Sequence, residues 1–136
     1  MPFVAISTLT VAFVGACAST PRTPFDSAEE VPPSAIRHVV LIDLKETADI
    51  PELIIAMDRE LAPIPGILHY WRGEPFQAGR PEVREDYDVG LVIDFRDAEA
   101  YSAYSTDPRH VGLVSAWKLR INNLTIYDIR PNAVAK

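Results

Sequence analysis

Tyr104-Ser105-Thr106-Asp107-Pro108-Arg109-His110-Val111-Gly112-Leu113-Val114 is the stretch on which the fold turns. An aspartate followed by a proline starts a helix: the carboxylate accepts from free amides of the first turn, and a proline at the first helical position gives up no hydrogen bond. A new helix therefore begins at Pro108. Behind it His110, Leu113 or Val114, and Trp117 recur at helical spacing, which sets the imidazole on the stripe facing the core. Tyr104 closes the preceding helical segment, which Asp97 can cap and which carries Ala100 and Tyr101 on a similar apolar face. A tyrosine and a histidine on either side of a tight helix-to-helix turn can point into one pocket. A histidine takes a proton near neutral pH, and a tyrosine hydroxyl can orient it or donate to a developing oxyanion. His110 and Tyr104 are thus the candidate catalytic pair, with the bland alternative that they pack the junction or that His110 bonds a backbone group.

Working outward, Ile36 to Leu44 is a strand by its β-branched content, with Ile36, His38, Val40, Ile42 and Leu44 on one face and Val39 and Leu41 on the other beside Arg37 and Asp43. Asp49-Ile50-Pro51-Glu52 has the form of a capping box, with Glu52 placed to reach back to the cap. It opens a helix whose stripe is Ile50, Leu53, Ile54, Met57 and Leu61 and which ends before Pro63. Ile67 to Arg72 and Asp88 to Phe95 read as strands, separated by a polar loop or lid from Gly73 to Asp86; Leu124 to Ile129 is the last strand. The order βαββαβ, with the second helix broken at Asp107-Pro108, gives an α+β, ferredoxin-like, four-stranded antiparallel sheet. Helices cover only one face of such a sheet. The apolar residues on the other face predict a homodimer, two sheets packed face to face as a dimeric α/β barrel.

The 136 residues leave room for one domain at 35–131 plus short appendages. Residues 1–16 are almost wholly apolar, too short to span a bilayer, and fit a signal peptide. Val14-Gly15-Ala16-Cys17 resembles a bacterial lipobox, which makes Cys17 the candidate lipidation site and sets a proline-rich tether over 17–34. Extended, that tether reaches roughly 50 Å. On this reading the domain sits in the cell envelope, lipid-anchored at the periplasmic face of the outer membrane, or is secreted; a cytoplasmic protein with an apolar N-terminus is the alternative. Residues 132–136 form a short tail.

Net charge of −6 and a pI near 5.0, with no run of Lys and Arg, argue against nucleic acid as a partner. The three histidines lack i, i+4 spacing and the only cysteine precedes the domain, so no metal site is expected. Neither a Gly-rich phosphate loop nor a Gly-x-Ser-x-Gly elbow is present, and no cofactor is expected. Tyr70, Trp71, Tyr101, Tyr104 and Trp117 can line an apolar cavity for a small hydrophobic ligand, or can be plain core.

Arg37-His38-Val39-Val40-Leu41, Ile64-Pro65-Gly66-Ile67, Tyr87-Asp88-Val89-Gly90-Leu91, Tyr101-Ser102-Ala103-Tyr104 and Asp107-Pro108-Arg109-His110-Val111 stand in an order and spacing that resembles the stress-responsive α/β barrel domain family, Dabb, over about residues 36–130. The resemblance implies a dimeric α+β barrel. Some members of that family are cofactor-free polyketide cyclases using a Tyr and His pair, matched here by Tyr104 and His110, and others are stress-induced proteins. It also matches His38 to a first-strand pocket histidine, while a further pocket histidine of the cyclases falls at Val89. Three classes of function follow. The leading one is a stress-response module that binds a small hydrophobic ligand, with His38, Tyr101 and Trp117 as candidate contacts. The others are a cofactor-independent cyclase-like or monooxygenase-like enzyme and a structural dimer.

Overall fold

Along β1 (Ile36–Leu44) the buried residues Ile36, His38, Val40, Ile42 and Leu44 alternate with half-buried or exposed ones, so one face of the strand is sealed and the other only partly covered. The computed structural model, which describes residues 32–131, places β1 at the centre of a sheet ordered β2-β3-β1-β4, with every pairing antiparallel. The other strands are β2 (Ile67–Gly73), β3 (Val89–Phe95) and β4 (Ile121–Ile129). Three helices complete the fold: α1 (Ile50–Glu60), α2 (Ala98–Thr106) and α3 (Pro108–Trp117). This is the ferredoxin-like α+β sheet that the order of elements predicts. The leader, Cys17 and the tail 132–136 lie outside the described residues, as does the tether up to residue 31.

Strand register decides which side chains meet. On the helix-covered side Tyr70, Ile93, His38 and Asp128 stand in one row across all four strands; on the other side Trp71, Val92, Val39 and Tyr127 do the same. The inner rows hold the core, where Val89, Ile93 and Phe95 of β3 lose all their exposure against Leu53 and Met57 of α1 and Tyr104 of α2. Each such aliphatic or aromatic side chain contributes about 1.5–3 kcal/mol by leaving water. On the outer side Trp71, Tyr127 and Ile129 remain more than half exposed.

Both predicted aspartate caps on the second helical region form. The Asp97 carboxylate accepts from the Ala100 amide at 2.8 Å, and that of Asp107 accepts from the Arg109 amide at 2.9 Å, with Pro108 at the first position of α3. The Arg109 guanidinium also grips Asp107 and holds its acidity at about 2.

The first helix begins differently from its predicted capping box. A 3₁₀ turn, Thr47–Asp49, precedes α1, and the helical backbone at Asp49 leaves its carboxylate unable to cap. Asp49 and Glu52 instead accept from Arg120, at 2.8 Å and at 3.0 and 2.7 Å, while that guanidinium stacks 3.9 Å over the Trp117 ring. The pair thus ties the start of α1 to the turn before β4. That turn is short because β4 begins at Ile121, three residues before the predicted start, where the Arg120 carbonyl accepts from the Lys45 amide.

The loop between β2 and β3 is not a lid over the core side. Asp88 pins its end to β1 by accepting from the Leu44 amide at 2.7 Å and donating its own amide to Ile42 at 2.8 Å. Arg84, Asp86 and Tyr87 then lie beside Leu41, Asp43, Thr125 and Tyr127, all residues of the outer face.

Gly66 turns the chain into β2 with φ +92°, and a Cβ there would stand 2.8 Å from the Cβ of Ala100. Gly79 has φ +65° in open space. We expect Gly66→Ala to cost about 2 kcal/mol in urea unfolding and Gly79→Ala about 1 kcal/mol, since only the first adds a clash to the left-handed strain. Equal losses would mean that the contact with α2 is unimportant.

Candidate functional site

Between the inner face of β1 and β4 and the overlying α1 and α3 lies a cavity of about 400 Å³. Its walls are Ile42, Leu53, Met57, Leu91, Leu113 and Trp117, with Leu124 and Ile126 of β4 along the rim. Its polar groups are His38, Tyr104 and His110, with Lys118 at the α3 end. A volume of this order is that of a small-molecule site, and one polar cluster in an otherwise apolar enclosure orients an amphiphilic guest.

Each member of the cluster is fixed by the local structure. Asp107 ends α2 and starts α3, and the chain reversal there brings the rings of Tyr104 and His110 to 4.6 Å between centroids. Tyr104 is buried at 2% exposure against Phe95, whose ring lies 4.8 Å away, and burial pushes its phenol well above the ordinary range. Its hydroxyl bonds no other described residue. It is not sealed off either, because every buried side-chain nitrogen and oxygen among the described residues has a partner. The phenol is therefore a neutral donor available to a guest.

His110 lies 3.1 Å through Nδ1 from the carbonyl of Ser105. A carbonyl only accepts, so Nδ1 carries the proton and Nε2 is left as the acceptor. Burial is the main cause that lowers the pKa of this imidazole below the usual histidine value, favouring its neutral form. The backbone bond and the place in the cavity wall are thus one arrangement: the bond selects the tautomer that the cavity sees.

His38 is held in the same way by a stronger partner. Its Nδ1 lies 2.7 Å from Asp128 on the neighbouring strand, the residue directly opposite in register. Asp128 is the residue that sequence reasoning missed. The signal was available, since position 128 shares the inward face with Leu124 and Ile126, where an aspartate needs a reason. Tyr101 donates to the other carboxylate oxygen at 2.9 Å. It therefore backs the cluster through Asp128 and is not among the residues lining the cavity.

The remaining candidates separate. Trp117 is buried and lines the cavity, with Arg120 on its far face. Val89, at the position of the further family histidine, is fully buried core. Tyr70 donates to Asp58 of α1 at 3.2 Å, and Trp71 is 71% exposed on the outer face. His69 also faces outward, 3.2 Å from Asp94. Among the described residues no cluster of histidine, cysteine or carboxylate side chains is arranged to hold a metal ion.

Since burial depresses the titration of His110, the unfolded chain binds its proton first as pH falls from about 6.5. Stability from this group is present above that pH and is lost as pH falls through the folded midpoint. We expect the His110 ring to titrate below the usual histidine value by NMR, and His110→Gln to flatten the loss of stability between about pH 6.5 and that midpoint. A ring that titrates above the usual value would refute the buried, neutral assignment.

Comparison with known proteins agrees with this architecture. The profile of the stress responsive A/B barrel domain, Dabb, matches residues 36–131. A stress-response A/B barrel domain-containing protein of Arabidopsis thaliana is 21% identical over 101 residues, covering 74% of this chain and 90% of that protein. Among solved structures, a Dabb family protein with a ferredoxin-like fold from Mesorhizobium loti superposes with a TM-score of 0.63 at 25% identity, over 73% of this chain and 98% of the other. A dimeric ferredoxin-like protein from Thermobifida fusca gives 0.61 at 20% identity, over 71% and 91%. With the profile spanning the whole sheet and all three helices, the chain belongs to the stress-responsive A/B barrel domain family.

Proposed function

We propose that this domain is a homodimeric stress-response module that carries a small, predominantly apolar molecule with one polar end. The observation that carries the reading is the cavity itself: aliphatic and aromatic walls with His38, Tyr104 and His110 gathered at one place. Two imidazole acceptors and a phenolic donor there suit a guest with a hydroxyl or carbonyl head. The apolar outer face and the dimeric relative from Thermobifida fusca support the second copy. Fold alone does not decide activity, and the same oriented His38 favours a second reading in which the cluster withdraws a proton beside a carbonyl.

Native mass spectrometry of the purified protein, followed by denaturing extraction, tests the first reading. We expect a dimer with one small molecule per chain. With the extracted compound, Tyr104→Phe and His110→Ala should each weaken binding about tenfold, the loss of one hydrogen bond of about 1.4 kcal/mol. A dimer that neither retains nor rebinds any apolar molecule would overturn it. Turnover abolished in His110→Ala with affinity unchanged would replace it by the enzymatic reading.

We further propose that the domain is held in the cell envelope by a lipid on Cys17, a reading supported by Val14-Gly15-Ala16-Cys17 behind an uncharged apolar leader. Expressed in a bacterial host, the chain should incorporate labelled palmitate and fractionate with membranes. Cys17→Ser should lose both, and label that persists in this variant would refute the assignment.

A further inference from the structure

The charge of the cavity wall is opposite to that of the chain as a whole. Net charge is −6, yet no aspartate or glutamate lines the cavity, and Lys118 is the one lysine or arginine that does. Most arginines among the described residues stand against a carboxylate, whereas Lys118 makes no ion pair with any described residue. The carboxylates brought to its end of α3, Asp49 and Glu52, are both held by Arg120. A cation at a helix C-terminus complements the helix dipole wherever its side chain points. What is particular to Lys118 is that it belongs to the wall of the cavity.

Helix α3 and the residue after it show the cavity one stripe: His110, Leu113, Val114, Trp117 and Lys118, at spacings of three and four. Its two polar ends are eight residues apart, which at roughly 1.5 Å each is about 12 Å along the helix. The sheet repeats this order, because His38 stands at the His110 end and Ile42, paired with Leu124, at the other. The two ends differ in their contact with water. Tyr104 and His38 are buried, whereas Lys118 is exposed and Leu124 beside it is 45% exposed. The cavity is thus closed around its neutral polar cluster and open around its cation.

The closed end also selects its chemical group. A carboxylate only accepts, and there it would meet two accepting imidazole nitrogens and a single phenolic donor, away from water. A carbonyl would take the phenol's proton and leave both nitrogens unmet. A hydroxyl accepts from Tyr104 and donates to an imidazole, so it is the group that fits. At the open end an acid keeps part of its hydration and gains the ammonium of Lys118. We infer that the guest is an elongated hydroxy acid, its hydroxyl in the cluster of Tyr104, His38 and His110 and its carboxylate on Lys118. The inference rests on the ligand-carrying reading above and names the class of guest. At about 1.3 Å of advance per bond in an extended chain, the span between the ends suits about ten carbons.

Titration calorimetry on the purified full chain tests it with three probes: ω-hydroxydecanoic acid, its methyl ester and decanoic acid. The readout is the ratio of the affinities for the acid and the ester, which cancels their common apolar chain. Lys118→Met keeps the stem and removes the charge. It should lower that ratio about fivefold, the size expected of a pair that stays in contact with water, and added salt should shrink the effect. Lys118→Arg should preserve the ratio. Tyr104→Phe should weaken the hydroxy acid and its ester about tenfold and leave decanoic acid unchanged, which fixes the orientation. Circular dichroism checks that each variant folds. A ratio unmoved by Lys118→Met, with the ester still bound, would overturn the acid while the carrying of an apolar guest stands. Equal loss of all three probes in Tyr104→Phe would overturn the placing of the hydroxyl. If the folded chain takes up none of the probes, the inference and the reading beneath it fall together.

Discussion

β1 is hydrogen-bonded along both edges, sealed on one face and partly apolar on the other, and the rest of the molecule is arranged to satisfy it. Its pairing with β3 buries the middle of the sheet, and its pairing with β4 carries one more strand out beyond the helices. Because pleating alternates side chains with a period of two, a slip of one residue would send His38, Val40 and Ile42 to the outer face and bring Arg37, Val39 and Leu41 inward. The register is therefore also what builds the site. His38 meets Asp128 because they are opposite one another in the ladder, and no loop or helix has to place them.

The second contribution comes from a backbone event at Asp107. Its extended conformation ends α2, its carboxylate starts α3, and Pro108 fixes the entry angle. A continuous helix would set positions 104 and 110 about 120° apart around its axis, at about 100° per residue, and more than one turn apart along it. The break swings His110 back over Tyr104, and the Ser105 carbonyl released at the end of α2 becomes the acceptor that selects its tautomer. An unpaired terminal carbonyl, which every helix must dispose of, is here used to prepare an imidazole.

Much of this was legible in the sequence because it rests on local rules. The alternation in Ile36–Leu44, the Asp97 and Asp107 caps and the proline before which α1 stops all depend on neighbours a few residues away. What escaped depends on residues far apart. Asp49 and Glu52 have the spacing of a capping box, yet a guanidinium at position 120 offers each of them a charged partner, and the helix start rearranges around it. The polar stretch from Gly73 to Asp86 reads as a loop or lid, and the contacts of the following Asp88 with β1 commit its end to the outer face. Asp128 waits for the pairing of β1 with β4, a register that no local pattern states. The same pairing sets Tyr101, an aromatic residue that the sequence offers either to a cavity wall or to the core, behind the carboxylate.

β4 is bonded to the sheet along one edge only, and both of its faces stand partly open: Leu124 and Ile126 toward the cavity, Tyr127 and Ile129 away from it. A strand so placed has two unmet needs, and whatever meets one of them lowers the cost of meeting the other. A guest that steadies the inner face makes the outer face a better surface for a second chain, and by thermodynamic reciprocity the second chain tightens the hold on the guest by the same factor. Retention then depends on how much of the protein is present. On the ligand-carrying reading proposed above, a domain of this build would hold its guest less tightly when it is scarce than when it is abundant, with no change in any residue that touches the guest.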